Sequence, residues 1–316
     1  MSDETRPVLR LNLGDPSEAR IYYAAHLIAE AYGFFAQEGV DVVCLRTASG
    51  GHSVWGGQVS AVLSGDADLC IGGPMVVMRM AQDGAAQLTC FCAAVAGNPW
   101  ALAALEDAED FSLAALAGRR VIDSGRVGTA TMSFQTLIGE AGLAEGAVTL
   151  IEGEGDLARD RETLARGEAD YVLHSLHALA PMLSDGTLRL VMPLTAAMGP
   201  VPWSAYIARP ETLAARRPAF AAFTRAIARA LEAMRLLSAR DLAGVVAPHH
   251  PDMEFGAVRL GLSLYRDAGL FPETPVIART EFDRFADLLT RIGWLSAPPA
   301  FEAVVDTDLA TLAART

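Results

Sequence analysis

Leu63-Ser-Gly-Asp-Ala-Asp-Leu-Cys-Ile-Gly-Gly-Pro-Met-Val-Val-Met78 is the stretch that decides the fold class of this chain. Its start is typical of a helix end followed by a turn at Gly65, and the apolar run Ala67–Ile71 predicts a short buried strand. A glycine-rich segment then ends the strand, because glycine packs no side chain and proline lacks the N–H that strand pairing needs. The pattern returns in Leu164-Ala-Arg-Gly-Glu-Ala-Asp-Tyr-Val-Leu-His-Ser-Leu-His177. This repetition predicts two related α/β halves.

Strands and helices alternate outward from this repeat, which is typical of parallel sheets covered by helices. In the first half the pattern predicts a strand over Val8–Leu13, one long helix over Ala19–Glu38 and a strand over Val40–Arg46. A strand over Pro200–Ala208 is expected to return to the first half. The remainder is predicted as a helical C-terminal tail, with helices over Arg217–Ser238, Phe255–Asp267 and Glu281–Ile292.

Composition limits the classes of partner. The 316 residues carry a net charge of −13, 52% are hydrophobic, and every basic residue is arginine. An acidic chain without a basic tract is not expected to bind nucleic acid or an anionic membrane. A chain without lysine cannot hold a cofactor as a lysine Schiff base. No apolar run reaches the roughly 18 residues of a membrane span. We therefore expect a small-molecule ligand, no cofactor, no nucleic acid and no direct membrane insertion.

The N-terminal residues and the cysteines bear on the compartment. Met1–Pro7 is polar and unlike a secretory signal, so we expect a cytoplasmic protein as written, and a periplasmic one only if a leader has been removed. Cys44, Cys70, Cys90 and Cys92 each lie in an apolar run, which favours buried free thiols in a reducing compartment. A metal site built on the Cys90-x-Cys92 pair is the alternative. No second close pair of ligands supports it, so no metal is expected.

Polar loops follow the predicted strands of the first half. The loop Gly14–Glu18 contains Asp15, and the loop Thr47–His52 contains Ser49 and His52 ahead of a predicted helix. A strand, a glycine loop and a helix N-terminus together present free N–H groups that suit an anion or a carbonyl oxygen. We therefore predict ligand contacts from Asp15, Ser49, His52 and the Gly73 backbone, with a solvated loop as the alternative for His52.

Two arginines stand at predicted helix starts, where the helix dipole disfavours a cation. Arg20 and Arg126 are easier to explain if each pairs with a carboxylate, either of the protein or of a ligand. Thr129 adds a hydroxyl next to Arg126. All three residues are predicted to contact the ligand, with a surface salt bridge as the alternative for the arginines.

The remaining candidates are histidine and tryptophan. His174 and His177 follow the predicted strand of the second half. Of the two, His174 is the stronger candidate for contacting the ligand. Trp203 is a candidate for stacking on an aromatic ligand, with core packing as the alternative. His249-His250, between two prolines, is predicted to be an exposed turn between helices.

Several segments in order along the chain resemble the NMT1/THI5-like family of type II periplasmic-binding-protein folds. The segments are Gly33–Phe35 with Gly39–Val42, Leu63–Asp68, Leu113–Ile122, Arg217–Phe223 and Pro299–Leu309. The resemblance implies an α/β fold of two lobes joined by two hinge crossovers, near Leu102–Glu106 and Val201–Ala205. Lobe 1 is expected to comprise residues 1–103 and 204–316, and lobe 2 residues 104–203.

The same resemblance implies a function. Members of this family include sulfonate- and pyrimidine-binding components of ABC importers, so the leading hypothesis is a binding protein that holds an anionic or heteroaromatic small molecule between its lobes, with an ABC permease as partner if it is exported. The alternative is a cytoplasmic lyase or hydrolase, decarboxylase- or desulfinase-like, that acts on a small aromatic acid with His52 and His174 as acid and base. The related sulfinate desulfinase uses a cysteine in its first loop, and residues 12–20 contain none.

Overall fold

The computed structural model describes residues 6–14, 20–46, 56–85, 87–125 and 127–315. The chain divides into two compact units, the first formed by residues 1–96, 201–250 and 271–316 and the second by residues 97–200 and 251–270. Each unit contains one five-stranded sheet.

The first unit combines a sheet with most of the helical tail. Its strands are β1 (Val8–Asn12), β2 (Asp41–Leu45), β3 (Leu69–Gly72), β4 (Thr89–Val95) and β10 (Ser204–Ala208). Its helices are α1 (Ala25–Ala31), α2 (Phe34–Gln37), α3 (Gly56–Ser64), α4 (Pro74–Gln82), α9 (Pro210–Ala215), α10 (Arg217–Leu236), α11 (Ala239–Val246), α13 (Arg279–Arg291) and α14 (Asp308–Ala313), with 3-10 turns at Ala247–His249 and Phe301–Ala303.

The second unit is smaller. Its strands are β5 (Trp100–Ala104), β6 (Arg120–Asp123), β7 (Thr149–Glu152), β8 (Tyr171–Ser175) and β9 (Arg189–Pro193). Its helices are α5 (Gly128–Glu140), α6 (Leu157–Ala165), α7 (Leu176–Ser184), α8 (Leu194–Met198) and α12 (Phe255–Asp267), with a 3-10 turn at Leu113–Leu116.

The two sheets have the same strand order. They run β2-β1-β3-β10-β4 and β7-β6-β8-β5-β9, and in each the fourth strand is antiparallel to its neighbours. The other four strands of each sheet therefore have their carboxyl ends at one edge, where parallel α/β sheets commonly bind ligands. The two related halves predicted from the sequence repeat are confirmed.

The repeated sequence pattern forms the same hydrogen-bonded clamp in both units. In the first unit the Asp68 carboxylate accepts from the Arg10 backbone N–H at 2.8 Å and from its Nε at 3.1 Å. The Arg10 Nη2 also donates to the Gly65 carbonyl at 2.9 Å. These bonds tie β1 to the turn that precedes β3.

The second clamp repeats the first almost atom for atom. Asp170 accepts from the Arg120 backbone N–H at 2.8 Å and from its Nε at 3.2 Å, and the Arg120 Nη2 donates to the Gly167 carbonyl at 2.9 Å. Each clamp fixes the start of its strand, β3 or β8, against the neighbouring strand. Counted from the two aspartates, Gly72-Gly73 and His174-Ser175 occupy equivalent positions at the carboxyl edges.

The first-unit core forms where amphipathic helices cover the sheet. In α10 the side chains of Phe220, Phe223 and Ile227 recur at helical spacing and are fully buried. The Phe223 ring stacks on Phe35 with centroids 5.3 Å apart and meets Tyr206 of β10 edge-on at 5.0 Å. These contacts hold α2 and α10 on the sheet.

Two local predictions differ from the structure, and one further element, α4, was not predicted. The single helix expected over residues 19–38 is two helices, α1 and α2, because Gly33 between them has φ of 68°, a left-handed conformation that interrupts an α-helix. The segment after Gly73 is a helix, α4, with Pro74 at its first position, where a missing N–H costs nothing. Trp100–Ala104, which includes the start of the first expected hinge, is the paired strand β5.

The lobe boundaries predicted at 103/104 and 203/204 lie a few residues from the unit boundaries at 96/97 and 200/201. Residues 251–270, predicted to belong to lobe 1, lie in the second unit. Strand β5 pairs with β8 and β9, so it belongs to the second sheet. Helix α12 joins the second unit, where the Tyr265 hydroxyl bonds the His177 backbone N–H of α7 at 3.0 Å.

Candidate functional site

The carboxyl edge of the first sheet presents mainly backbone at β3. Gly73 caps α4 in an extended conformation, and Pro74 at the first position of the helix has no N–H. The Val76 N–H donates to the Gly73 carbonyl at 3.0 Å, so this edge presents mainly the bare Gly72-Gly73 backbone. A side chain at Gly73 would meet the Met75 side chain at 3.2 Å and the Trp203 carbonyl oxygen at 3.7 Å. Glycine at position 73 therefore leaves space between the backbone, Met75 and Trp203 that a side chain would fill.

Trp203 lies at the same edge but faces the core. Its side chain is only 5% exposed, and its ring centroid is 5.9 Å from that of Phe285 in α13. Next to it, Ser204 Oγ and the Tyr23 hydroxyl are hydrogen-bonded at 3.1 Å. The structure therefore places Trp203 in a packing role, which was the alternative considered for it.

Arg20 lines a small cavity of about 20 Å³ in the first unit. We call it the cationic cavity, because most of its polar lining is arginine and histidine. The residues around it are Leu13, Arg20, Tyr23, His26, Leu27, Arg46, His249 and His250. None of these described lining residues is acidic. The structure thus places Arg20 beside four other arginine and histidine side chains, His26, Arg46, His249 and His250.

Two histidines of the cationic cavity are strongly perturbed. Burial, followed by the charges of His249 and Arg46, lowers the pKa of His26 to about 3. Burial, followed by the charges of His249, Arg46 and Arg20, lowers the pKa of His250 to about 4. Both rings are therefore neutral near pH 7. His250 is half-buried, so the turn predicted to be exposed is only partly so.

The carboxyl edge of the second sheet carries His174, which is the fourth residue of β8 rather than a residue after the strand. The Ser175 backbone N–H donates to His174 Nδ1 at 2.7 Å. An Nδ1 that accepts a hydrogen bond carries no proton, so the neutral ring holds its proton on Nε2. Neutral His174 is therefore a hydrogen-bond donor at Nε2, which suits a ligand oxygen better than it suits a general base.

Gly125 is packed against His174 and Trp100. A side chain at Gly125 would lie 2.8 Å from Trp100 Nε1 and 3.4 Å from His174 Nδ1. A contact under 3.0 Å forces a displacement, so only glycine fits here without movement. Trp100 is the first residue of β5, a strand that the sequence did not predict. The cluster of Gly125, His174 and Trp100 was therefore not predicted either.

Thr129 lies in the first turn of α5, where its carbonyl accepts from Ser133 Oγ at 2.6 Å. The neighbouring groove of about 470 Å³ is lined by other residues, including Thr131 and the acidic Asp123 and Glu152. The Thr131 hydroxyl donates to the Asp123 carboxylate. These carboxylates disfavour an anion in that groove.

His177, the other histidine of the repeat, has a structural role. Its Nδ1 and the Tyr265 hydroxyl of α12 lie 2.9 Å apart, and the same hydroxyl donates to the Pro99 carbonyl at 3.4 Å. This network joins α7, α12 and the segment before β5. It supports the weaker rank given to His177 as a ligand residue.

Four predicted contact residues lie outside the described residues: Asp15, Ser49, His52 and Arg126. Their ligand contacts stay predictions. Among the residues that the structure describes, no group of three or more histidine, cysteine, aspartate or glutamate side chains could hold a metal ion. Within the same part of the chain, no helix has the length and apolarity that a membrane span requires.

The sequence profile described as NMT1/THI5 like matches residues 20–236, which is more than half of the chain. The chain belongs to the NMT1/THI5-like family. The resemblance stated from the sequence motifs is confirmed.

The relatives and structural neighbours of this NMT1/THI5-like chain are distant in sequence. YtlA of Bacillus subtilis (strain 168), whose name describes a binding protein, is 21% identical over 92% of this chain and 86% of its own. The alkanesulfonate-binding protein SsuA of Xanthomonas axonopodis pv. citri, solved with MOPS bound, is 15% identical, with a TM-score of 0.61 over 97% of each chain. The desulfurization enzyme DSZB is 17% identical, with a TM-score of 0.65 over 98% of this chain and 99% of its own.

These neighbours establish the fold of the NMT1/THI5-like chain. The predicted α/β, type II periplasmic-binding-protein-like architecture is confirmed. Because one neighbour is named for binding and another for an enzymatic reaction on the same fold, the fold alone does not choose between them.

Within the family fold, sequence reasoning missed Arg46, His249 and His26 as members of one cluster. They are far apart in the sequence and meet only through the packing of α1, β2 and the Ala247–His249 turn. The one available signal was the His249-His250 pair, an unusual density of histidine in a chain that has six.

Proposed function

We propose that this protein is a small-molecule binding protein of the ABC-importer substrate-binding type, which takes an anionic or heteroaromatic ligand. The observation that carries the proposal is the pair of equivalent carboxyl edges. In one unit the Gly72-Gly73 position brings bare backbone to the edge, and in the other the His174-Ser175 position brings an imidazole with its proton on Nε2. A backbone N–H and an imidazole N–H both donate, so these groups suit a ligand rich in acceptor oxygens or ring nitrogens.

Among the predicted contact residues, we propose Arg20, the Gly73 backbone and His174 as ligand-contacting groups. Gly73 and His174 lie at the carboxyl edges of their sheets, and Arg20 lines the cationic cavity. We leave Trp203 out of this set because its side chain is buried against Phe285. The family membership and the binding-protein names of YtlA and SsuA support the same proposal.

The test measures the Tm of the full chain in the presence of sulfonates, carboxylates and pyrimidines. Each acid is paired with its neutral amide. Benzenesulfonate with benzenesulfonamide, and benzoate with benzamide, are two such pairs. A ligand at 100 times its Kd adds about 2.7 kcal/mol to the free energy of unfolding. We expect at least one acid or heterocycle to raise Tm where its neutral analogue does not. If no compound raises Tm at millimolar concentration, the proposal fails.

A His174→Phe variant tests the second edge separately. It removes the Nε2 donor while preserving a ring of similar size, so the ligand found in the panel should bind about tenfold more weakly, the loss expected for one hydrogen bond. Arg235→Gln, an exposed substitution in α10, is the control and should leave affinity unchanged. Equal affinity of His174→Phe and the wild type would remove His174 from the site.

The cysteines argue against a thiolate mechanism. Burial raises the pKa of Cys70 to about 12 and also raises the pKa values of Cys90 and Cys92, and burial raises the pKa of Cys44 to about 11. All four are protonated thiols at neutral pH and therefore poor nucleophiles. The enzymatic alternative with His52 and His174 stays a prediction, and turnover that survives both His52→Ala and His174→Ala would exclude that pair.

We further propose an ABC permease as the macromolecular partner. A ligand-binding component of an ABC-type import system from Staphylococcus aureus, 12% identical with a TM-score of 0.71 over 98% of this chain and 100% of its own, supports this proposal. This partnership requires the protein to work outside the cytoplasmic membrane. Fractionation of cells that express the tagged protein from its own locus tests it. Recovery only with cytoplasmic markers would exclude a permease partner and leave small-molecule binding in place.

A further inference from the structure

We propose that Asn98 is a positioning residue for the ligand site of the second unit, and that it acts by holding Trp100 against His174. This inference deepens the proposed function and rests on it, because it takes His174 as a group that contacts the ligand. It adds a buried residue that acts on the ligand only through its neighbours.

Asn98 closes the turn that leads into β5. The residue is 1% exposed, and its Oδ1 accepts a hydrogen bond from the Trp100 backbone N–H at 3.0 Å. A side-chain acceptor bonded to the N–H two residues later forms an Asx turn, which fixes the backbone between the two residues. Pro99 lies between them, and its ring fixes its own φ. The turn therefore determines how Trp100 enters the strand.

The same turn is anchored to two helices of the second unit. Thr195 of α8 donates through its hydroxyl to the Asn98 carbonyl at 2.6 Å, and Asn98 Nδ2 lies 3.8 Å from Met198 Sδ. The Pro99 carbonyl accepts from the backbone N–H of Leu176, the first residue of α7, at 2.9 Å. A buried polar network that is bonded in this way holds a single geometry.

The turn places the Trp100 indole beside His174. Trp100 Nε1 and His174 Nδ1 lie 2.8 Å and 3.4 Å from the position that a side-chain carbon at Gly125 would take. Strand pairing sets Trp100 opposite Ser175, whose N–H donates to His174 Nδ1 at 2.7 Å. A displaced Trp100 would therefore disturb both the wall beside the imidazole and the residue that fixes its tautomer.

The first unit contains a similar turn that does not depend on a side chain. Val201-Pro202-Trp203 precedes β10 as Asn98-Pro99-Trp100 leads into β5. In the first unit the Val201 backbone carbonyl accepts from the Trp203 N–H at 2.8 Å. In the second unit the Asn98 side chain supplies the acceptor. A substitution at Asn98 can therefore open one turn and leave the other closed.

The two tryptophans also differ by one residue in sheet register. Ala101 pairs with His174, and Ala205 pairs with Gly72, which is the equivalent of His174 in the first sheet. Trp100 directly precedes its paired alanine, whereas Trp203 stands one residue further away. Successive side chains of an extended chain point to opposite faces. This offset accounts for the packing of Trp203 on α13, whereas Trp100 lies against the edge residues.

The first experiment needs no ligand. Nuclear magnetic resonance follows the Trp100 indole N–H and the His174 ring nitrogens in the wild type, Asn98→Ala, Asn98→Ser and Thr224→Ala. Thr224→Ala is the matched control, because it removes a buried hydroxyl that donates to the Phe220 carbonyl at 2.8 Å in the first unit. Spectra of Trp100→Phe and His174→Phe assign the signals.

We expect Asn98→Ala to shift the Trp100 indole signal and to move the His174 nitrogen signals towards the average of the two tautomers. Asn98→Ser should retain more of the wild-type pattern, since a serine hydroxyl can close the same type of turn more weakly. Thr224→Ala should lower Tm without changing either ring, so a general loss of stability is distinguished from a loss of positioning.

The second experiment measures binding of benzenesulfonate, benzoate and 4-aminopyrimidine by isothermal titration calorimetry. We expect about tenfold weaker binding to Asn98→Ala, a smaller loss for Asn98→Ser and no change for Thr224→Ala. In a His174→Phe background, Asn98→Ala should cause no further loss. Residues that act through one shared group are not additive.

The outcomes separate this inference from the proposed function. Unchanged Trp100 and His174 signals in Asn98→Ala would overturn the positioning role, even if a compound binds. Additive losses for Asn98→Ala and His174→Phe would show that Asn98 does not act through His174, and would also overturn it. If no compound of the panel binds the wild type, the proposed function fails and the effect on a ligand fails with it, whereas the ligand-free spectra still decide whether Asn98 holds the two rings.

Discussion

The duplicated clamp allows one chemical change to be made at two equivalent sites. We predict that Asp68→Asn destabilises the protein more than Asp170→Asn does. The partner arginines are similarly exposed, Arg10 at 43% and Arg120 at 40%, whereas the aspartate side chains differ, at 6% and 23%. Asp68 also has a second close ion pair, with Arg216 at 2.8 Å, whereas the second partner of Asp170 is 3.6 Å away.

The expected magnitudes follow from burial. Removing one partner of a buried ion pair costs about 3–5 kcal/mol. Because the guanidinium of Arg10 is partly exposed, we expect about 2–4 kcal/mol for Asp68→Asn. The more exposed Asp170→Asn should cost about 1 kcal/mol, which is typical of charged pairs near the surface. Asp66→Asn, an exposed neighbour, is the control and should lie within about 0.5 kcal/mol of the wild type.

The effect of Asp68→Asn should depend on pH. Burial alone would raise the pKa of Asp68, but hydrogen bonds from Arg10 and Arg216 outweigh burial and lower it. A carboxyl whose pKa is lowered by folding stabilises the protein above its unfolded pKa of about 3.9, and this contribution is lost as pH falls through the folded pKa. The difference between wild type and Asp68→Asn should therefore be full above about pH 5 and shrink below about pH 4.

The assay is urea unfolding followed by circular dichroism at several pH values, with hydrogen exchange to locate the change. Faster exchange should be confined to peptides of β1 and β3 in Asp68→Asn and of β6 and β8 in Asp170→Asn. A cost for Asp170→Asn that equals or exceeds that for Asp68→Asn would refute the reasoning from burial. A difference that persists unchanged at pH 3 would refute the electrostatic cause.

Three further predictions rest on the packing and burial of single residues. Gly125→Ala should destabilise the second unit by about 1–3 kcal/mol, because the added carbon lies 2.8 Å from Trp100 Nε1. Gly128→Ala is the control: its added carbon meets nothing within 4 Å, so its free energy of unfolding, measured in urea, should equal that of the wild type. Cys44 is the one exposed cysteine of the four, so it alone should react with a thiol reagent in the native protein, and slowly near neutral pH because its pKa is raised to about 11. Counting thiols before and after denaturation checks this. Tyr265→Phe should cost about 1–3 kcal/mol, because it leaves polar groups of α7 without their partner, and protection of α7 amides in hydrogen exchange should fall.

Much of the fold follows from local sequence. The Gly65–Asp68 and Gly167–Asp170 turns recur with the same spacing, and each is tied to an arginine of a neighbouring strand by the same bonds. Helix α12 begins and ends where its amphipathic pattern predicts, at Phe255 and Asp267. Such elements are readable because short-range spacing and turn residues determine them.

Other elements depend on partners far away in the sequence. Strand β5 has an apolar sequence that fits a strand or a crossing segment equally well, and it is a strand because β8 and β9 pair with it. Trp203 is buried because Phe285 covers its ring. Pairing and burial are properties of the assembled sheet and core, so no local pattern contains them.

The candidate site shows the same division. The sequence alone determined the family, the two α/β halves, the acidic and lysine-free composition, and the glycine and histidine positions at the strand ends. Only the tertiary structure decided that Arg46, His249 and His250 join Arg20 around one cavity, and that Ser175 holds His174 as an Nε2 donor. The physical reason is that electrostatic and hydrogen-bonding properties depend on distances through space, and folding sets those distances by packing segments that lie far apart along the chain.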